Sequence, residues 1–126
     1  MVSRVRAAAR IVELLDSPVL RALAEPARLE VLRVLLLHGP ADIGAIASHL
    51  PQDRSVVSRH LKTLEDAGLV RAERDGRHRR FELDGGAFIG ALERILGETR
   101  AMAAVCCPPV VAPPVVPATD LVRRRS

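Results

Sequence analysis

The chain has 126 residues, 48% hydrophobic and 27% charged, with 19 Lys plus Arg against 15 Asp plus Glu. That length fits one domain, and that composition supports a packed core and excludes wholesale disorder. Two Phe with no Trp or Tyr argue against an aromatic-lined cofactor pocket or a base-stacking platform.

In chain order, Val5, Ala8, Ala9, Val12 and Leu15 recur at helical spacing and predict a first helix. Pro18 opens a short helix through Ala24, and Pro26 occupies the first turn of the next. That third helix runs to about His38. Leu29, Leu32 and Leu36, with Val31, Val34 and Leu35 beside them, make it apolar over much of its circumference, as expected of a central core helix. Gly39-Pro40 stops it. Ala41 to Leu50 predicts a short helix capped by Asp42, with Ile43, Ile46, Ala47 and Leu50 on one face. Pro51-Gln52-Asp53 is a turn. Ser55 to Ala67 predicts another helix, with Val57, Leu61 and Leu64 facing the core and Ser55, Ser58, Arg59 and Lys62 on other faces; Gly68 ends it.

Leu69 to Glu73, an Arg74-Asp75-Gly76-Arg77 turn and His78 to Leu83 predict a β-hairpin, Asp-Gly being a strong turn signal. Gly85-Gly86 predicts a break. Phe88, Leu92, Ile95 and Met102 mark a last helix to about Val105, and a Pro/Val-rich tail from Pro108 ends in Arg123-Arg124-Arg125. The expected fold is mainly α, with five or six helices and a two-stranded hairpin. Two short helices joined by a tight turn and followed by a basic hairpin make a winged helix-turn-helix.

The charge sharpens this. Arg54 to Arg80 holds eight basic residues and four acids, and the rest of the chain balances at eleven of each. The whole excess of +4 sits in one window, which points to a polyanion. The second short helix carries Arg54, Ser55, Ser58, Arg59 and Lys62, side chains suited to base edges and phosphates in a major groove. The hairpin adds Arg74, Arg77 and Arg79, placed to reach the backbone or the minor groove.

Other classes lack support in the sequence. No signal peptide is evident, and the longest uncharged run, Ala101 to Thr119, contains five of the nine prolines and cannot span a membrane as a helix. Two Cys make no disulfide framework, so the expected compartment is the reducing cytoplasm. No Ser/His/Asp order, phosphate-binding Gly loop or paired-carboxylate signature suggests an enzyme.

Four stretches carry a resemblance: ALAEPARLEVLRVLL (Ala22 to Leu36), DIGAIASHL (Asp42 to Leu50), SVVSRHLKTLEDAGLV (Ser55 to Val70) and RDGRHRRFEL (Arg74 to Leu83). They resemble the ArsR/SmtB family of bacterial winged-helix repressors, over roughly residues 5 to 105. The resemblance implies a homodimer joined through the first and last helices, bound to double-stranded operator DNA and released by an inducer. Residues 1–105 would then be the DNA-binding and dimerisation domain, and 106–126 a tail carrying a Cys pair. It implies operator-facing roles for Arg54, Ser55, Ser58 and Arg59, although many relatives carry Gln where this chain has Arg54.

The departures from the family bear on the inducer. Metal-sensing relatives often carry Cys-x-Cys where this chain has Ala41 to Ala47, or Asp and His on the final helix, where Gly85 to Ala104 contains no His. His38, His49, His60 and His78 are scattered along the chain. The two thiols are adjacent instead, Cys106-Cys107, a soft chelating pair; some arsenical-responsive members look similar. No cofactor is required by this reading. Two sulfurs complete the valence of a mono-organoarsenical, so methylarsenite is the favoured inducer, with arsenite or antimonite beside it needing a third ligand. A redox or reactive-sulfur sensor using the same Cys, or a regulator with no metalloid ligand, are the alternatives.

Overall fold

The computed structural model describes residues 3–107, so the Pro-rich tail and its terminal arginines lie outside the described residues. The elements are α1 (Arg4–Leu15), α2 (Pro18–Leu23), α3 (Pro26–His38), β1 (Ala41–Asp42), α4 (Ile43–Ala47), α5 (Arg54–Asp66), β2 (Val70–Asp75), β3 (His78–Leu83) and α6 (Gly85–Cys106). Their starts are written in side-chain oxygens. Ser3, Ser17, Asp42, Asp53 and Asp84 each accept the backbone N–H three residues on, capping α1, α2, α4, α5 and α6; Pro26 opens α3 without such a bond.

One core gathers Ala22, Val31, Leu32, Val34, Leu35, Ile46, Val57, Leu61, Leu64, Leu69, Val70 and Phe81. Burying each large aliphatic side chain stabilises the fold by about 1.5–3 kcal/mol. Leu69 sits there because of how α5 ends. Gly68 takes φ +80°, its N–H donates to Glu65 O, and the Leu69 N–H donates to Leu64 O. That paired closure turns Leu69 back onto Leu64.

Two expectations are corrected. The sheet has three strands, in the order β1-β3-β2: Ala41 and Asp42, expected in a helix, pair with Phe81 and Arg80. The Asp42 cap requires extended backbone at its own position, and two residues are too few to show a strand period. Gly85-Gly86 does not break the chain but forms the first turn of α6, held by the Ala87 N–H donating to Asp84 at 3.0 Å. In α3, expected to be apolar over much of its circumference and central to the core, Val31, Leu32, Val34 and Leu35 are buried while Leu29 and Leu36 are exposed. A helix apolar all round has no period that selects a face.

The hairpin register also differs by one residue. Asp75 pairs with His78, leaving Gly76-Arg77 as the two-residue loop. Only Gly76 has positive φ, at +63°, the sign pattern of a type II′ turn.

Candidate nucleic-acid interface

Helix α5 separates its residues by face. Val57, Leu61 and Leu64 are fully buried, while Arg54, Ser55, Ser58, Arg59 and Lys62 are all exposed. The exposed set falls at i, i+1, i+4, i+5 and i+8, one stripe along the helix. The structure therefore brings together all five predicted residues of this element.

Their present partners differ. The Ser55 hydroxyl donates to Asp53 at 2.6 Å, and the Val56 N–H donates to the same carboxylate at 3.0 Å. These two bonds, the Ser55 hydroxyl first, hold the Asp53 carboxyl below its ordinary range. The sequence places Asp53 in a turn; an Asp just before a helical period is the available sign of a cap. Arg54 lies back across α4, its guanidinium over Gly44, in the space a Cβ there would need. Lys62 pairs with Asp66 at 3.7 Å. On the inner side, His60 is held below its usual pKa, first by burial and then by Arg28.

The wing sets its charges by strand register. Arg71 faces Glu82, and Glu73 faces Arg80, both attractive; nearer the tip, Arg74 faces Arg79. Directly opposed like charges are unfavourable across antiparallel strands. Arg79 is drawn inward, donating to Glu65 on α5 at 3.1 Å and lying 5.5 Å over the Phe81 ring. Arg74 and Arg77 stand exposed at the end of the hairpin. Of the three wing arginines expected at the nucleic acid, the structure ties Arg79 to α5 and leaves Arg74 and Arg77 outward. At the loop end of the wing, His78 Nδ1 lies 3.8 Å from Asp42, the cap of α4.

The thiols lie far along the chain from this surface, at the end of α6. Cys106 is its last helical residue, and Cys107 is extended, φ −131° and ψ 159°. Successive helical side chains diverge by about 100°; ending the helix between them turns the second sulfur back onto the first. The structure joins the two as a disulfide.

Helices α1 and α6 pack on each other, linked by Arg10 and Glu98 at 3.4 Å. Ala7 is the one buried residue of α1, and α6 has none. Val5, Val12 and Leu15 remain exposed on α1, as do Ile89, Leu92 and Leu96 on α6. Two helices with this much uncovered aliphatic surface present an interaction face. Among the described residues, no helix is long and apolar enough to cross a membrane.

Known proteins share this arrangement. A family model described as MarR family matches residues 25–80, the segment from α3 to the wing. The HTH-type transcriptional regulator CmtR of Mycobacterium tuberculosis is 45% identical over 78 residues, covering 62% of this chain and 62% of that protein. The match thus spans less than two thirds of that relative's length. A probable mercury resistance operon repressor of Streptomyces lividans is 36% identical over 89 residues, covering 69% of this chain and 70% of that one. An ArsR-like transcriptional regulator from Rhodococcus superposes with a TM-score of 0.59 at 31% identity, covering 76% of this chain and 92% of its own. A homodimeric winged helix-turn-helix DNA-binding domain from Mycobacterium bovis superposes with a TM-score of 0.55 at 27% identity, covering 74% and 86%.

Proposed function

The chain belongs to the ArsR family of winged helix-turn-helix transcriptional regulators, and from that premise we propose that it is a homodimeric DNA-binding repressor released by a trivalent arsenical at Cys106 and Cys107. The observation that carries the DNA-binding reading is the exposed stripe of Arg54, Ser55, Ser58, Arg59 and Lys62 on α5, backed by buried Val57, Leu61 and Leu64. A helix held rigidly by its inner face presents its outer face to a major groove without reorganising. Arg59 is placed for bidentate bonds to guanine, the serines for bases or phosphate, and Arg74 and Arg77 for the flanking backbone. Such a repressor works where the DNA is, in the cytoplasm, and the relatives named above are regulators rather than enzymes.

The uncovered aliphatic side chains of α1 and α6 supply the dimer surface, and the homodimeric Mycobacterium bovis domain supports it. Dimerisation places two copies of α5 for successive major grooves. The thiol pair lies at the end of α6, next to that surface. Methylarsenite, CH3As(OH)2, condenses with two thiols to CH3As(SR)2 and two waters, which leaves the arsenic valence complete. The ligand acts as an inducer because it binds one inter-subunit arrangement more tightly than the other, with a coupling of about 1–3 kcal/mol.

The disulfide favours a second reading, in which oxidation of the pair is itself the signal. One titration separates them: DNA selected for binding from a random duplex pool, with release followed by fluorescence anisotropy as methylarsenite, arsenite, zinc or peroxide is added. Release by methylarsenite from the reduced protein, lost in Cys106→Ser and in Cys107→Ser, is the expected result. Release by peroxide alone selects the redox reading, and methylarsenite release unchanged in both variants rejects the site.

A further inference from the structure

Gly44 is the second residue of α4, and its backbone does not ask for glycine: its φ is not positive, unlike those of Gly39, Gly68 and Gly76. Within a helix glycine is less favourable than alanine, so the missing side chain is explained by what fills its space. That is the guanidinium of Arg54, the first residue of α5. Helical side chains lean toward the N-terminus of their own helix, and from the first position of α5 that direction leads back across α4. Arg54 Cζ stands 3.3 Å, and Asp42 Oδ1 3.5 Å, from the place of a Gly44 Cβ. Asp42 is engaged elsewhere, accepting the Ala45 N–H at 2.8 Å and facing His78. Among the described residues, no carboxylate lies within ion-pair distance of Arg54. The guanidinium is held over α4 by shape, and its charge has no carboxylate partner there.

We infer that Gly44 is a positioning residue that assigns Arg54 to a DNA phosphate rather than to a base. In a helix-turn-helix the second helix enters the major groove while the first crosses the backbone. Helix α4 is that first helix, so a guanidinium lying across it meets phosphate oxygens, which its charged fork of N–H donors suits. Arg59, five residues further along the α5 stripe, keeps the base-reading role. The inference rests on the reading of α5 as the helix that enters the groove, and it divides the stripe by chemistry. Arg54 adds affinity without regard to sequence, and preference comes from the residues beyond it. Gly44→Ala suits the α4 backbone, and the Cβ it adds collides only with the far end of a flexible side chain. The fold therefore holds and Arg54 moves.

The test uses the whole chain with a duplex selected by it and a scrambled duplex, for wild type, Arg54→Ala, Gly44→Ala and the double variant. Expected in Arg54→Ala is a loss of about tenfold or more in affinity for both duplexes. Its salt slope is shallower by about 2 for the dimer, one phosphate contact being lost from each subunit. Gly44→Ala gives the same loss with an undiminished melting temperature, and the double variant is no weaker than either single one, because both changes remove one contact. A methylphosphonate scan gives a second readout: one phosphate in each half-site whose neutralisation weakens wild type but neither variant. A loss confined to the selected duplex in Arg54→Ala makes Arg54 a base reader and overturns the inference; so does an affinity in Gly44→Ala that is unchanged or raised. A steep salt slope that Arg54→Ala leaves unchanged removes this inference while the DNA-binding reading stands; no measurable duplex affinity in wild type defeats both.

Discussion

At the scale of single residues, Asp53 shows how one carboxylate orders the N-terminal end of α5. It caps the helix through the Val56 N–H and fixes the Ser55 hydroxyl, so it sets the start of the very stripe that would meet DNA. Its folded-state pKa is depressed from 3.8. A depressed carboxyl stabilises the fold above the unfolded pKa and loses that contribution as pH falls through the folded value. Asp53→Ala should therefore lower the melting temperature at pH 7, and the gap from wild type should close as the pH is taken below 3.8. Thermal melts across that range check it; a gap independent of pH contradicts the capping role. Caps of this kind were half legible in the sequence. Asp42 was recognised because an apolar period follows it directly, whereas Asp53 follows Pro51 and was absorbed into the turn.

At the scale of elements, α5 and the wing were readable because each has a face that sequence distinguishes. Val57, Leu61 and Leu64 mark the inside of α5, Gly68 its end, and Asp-Gly the hairpin. The register within the hairpin was not, since whether Asp75 or Gly76 opens the loop depends on which residue takes positive φ in the paired strands. Helix α3 was legible as a helix but not in orientation: with apolar residues all round, its neighbours select Val31 and Leu35 over Leu29 and Leu36. The wing carries its own expectation. Arg77 stands at the turn away from any base-reading helix, so Arg77→Ala should weaken binding to all duplex sequences alike and reduce the slope of log affinity on log salt by about 2 for the dimer, one phosphate contact being lost from each subunit. Arg59→Ala should instead cost about 1–3 kcal/mol at the preferred sequence and relax preference there. Binding of both variants to selected and scrambled duplexes separates a wing contact from a base contact; identical behaviour of the two would contradict these assignments.

At the scale of the whole molecule, the fold is incomplete on one side. The core of α3, α4, α5 and the sheet closes on itself, while α6 runs 22 residues without a fully buried side chain. Leu92 and Leu96 have the spacing of any amphipathic helix, and nothing in that spacing says whether the cover comes from the same chain or another; the expectation of a dimer through the first and last helices came from the family resemblance alone. In the proposed homodimer a second copy supplies the cover. Leu92→Glu should then shift the protein to a monomer in sedimentation while helix content by circular dichroism is retained, and the monomer should bind duplex DNA far more weakly. A variant that stays dimeric would move the interface away from α6.

If α5 and the wing hold duplex DNA through its phosphates, the affinity must fall with salt. A dimer neutralising about 6–10 phosphates should lose about 10³–10⁵ in affinity between 50 and 200 mM salt. With DNA selected by the protein itself, the expected result is that steep fall in wild type and a shallower one in Arg77→Ala. An affinity for duplex DNA that does not change with salt, or no measurable affinity at 50 mM, would contradict it.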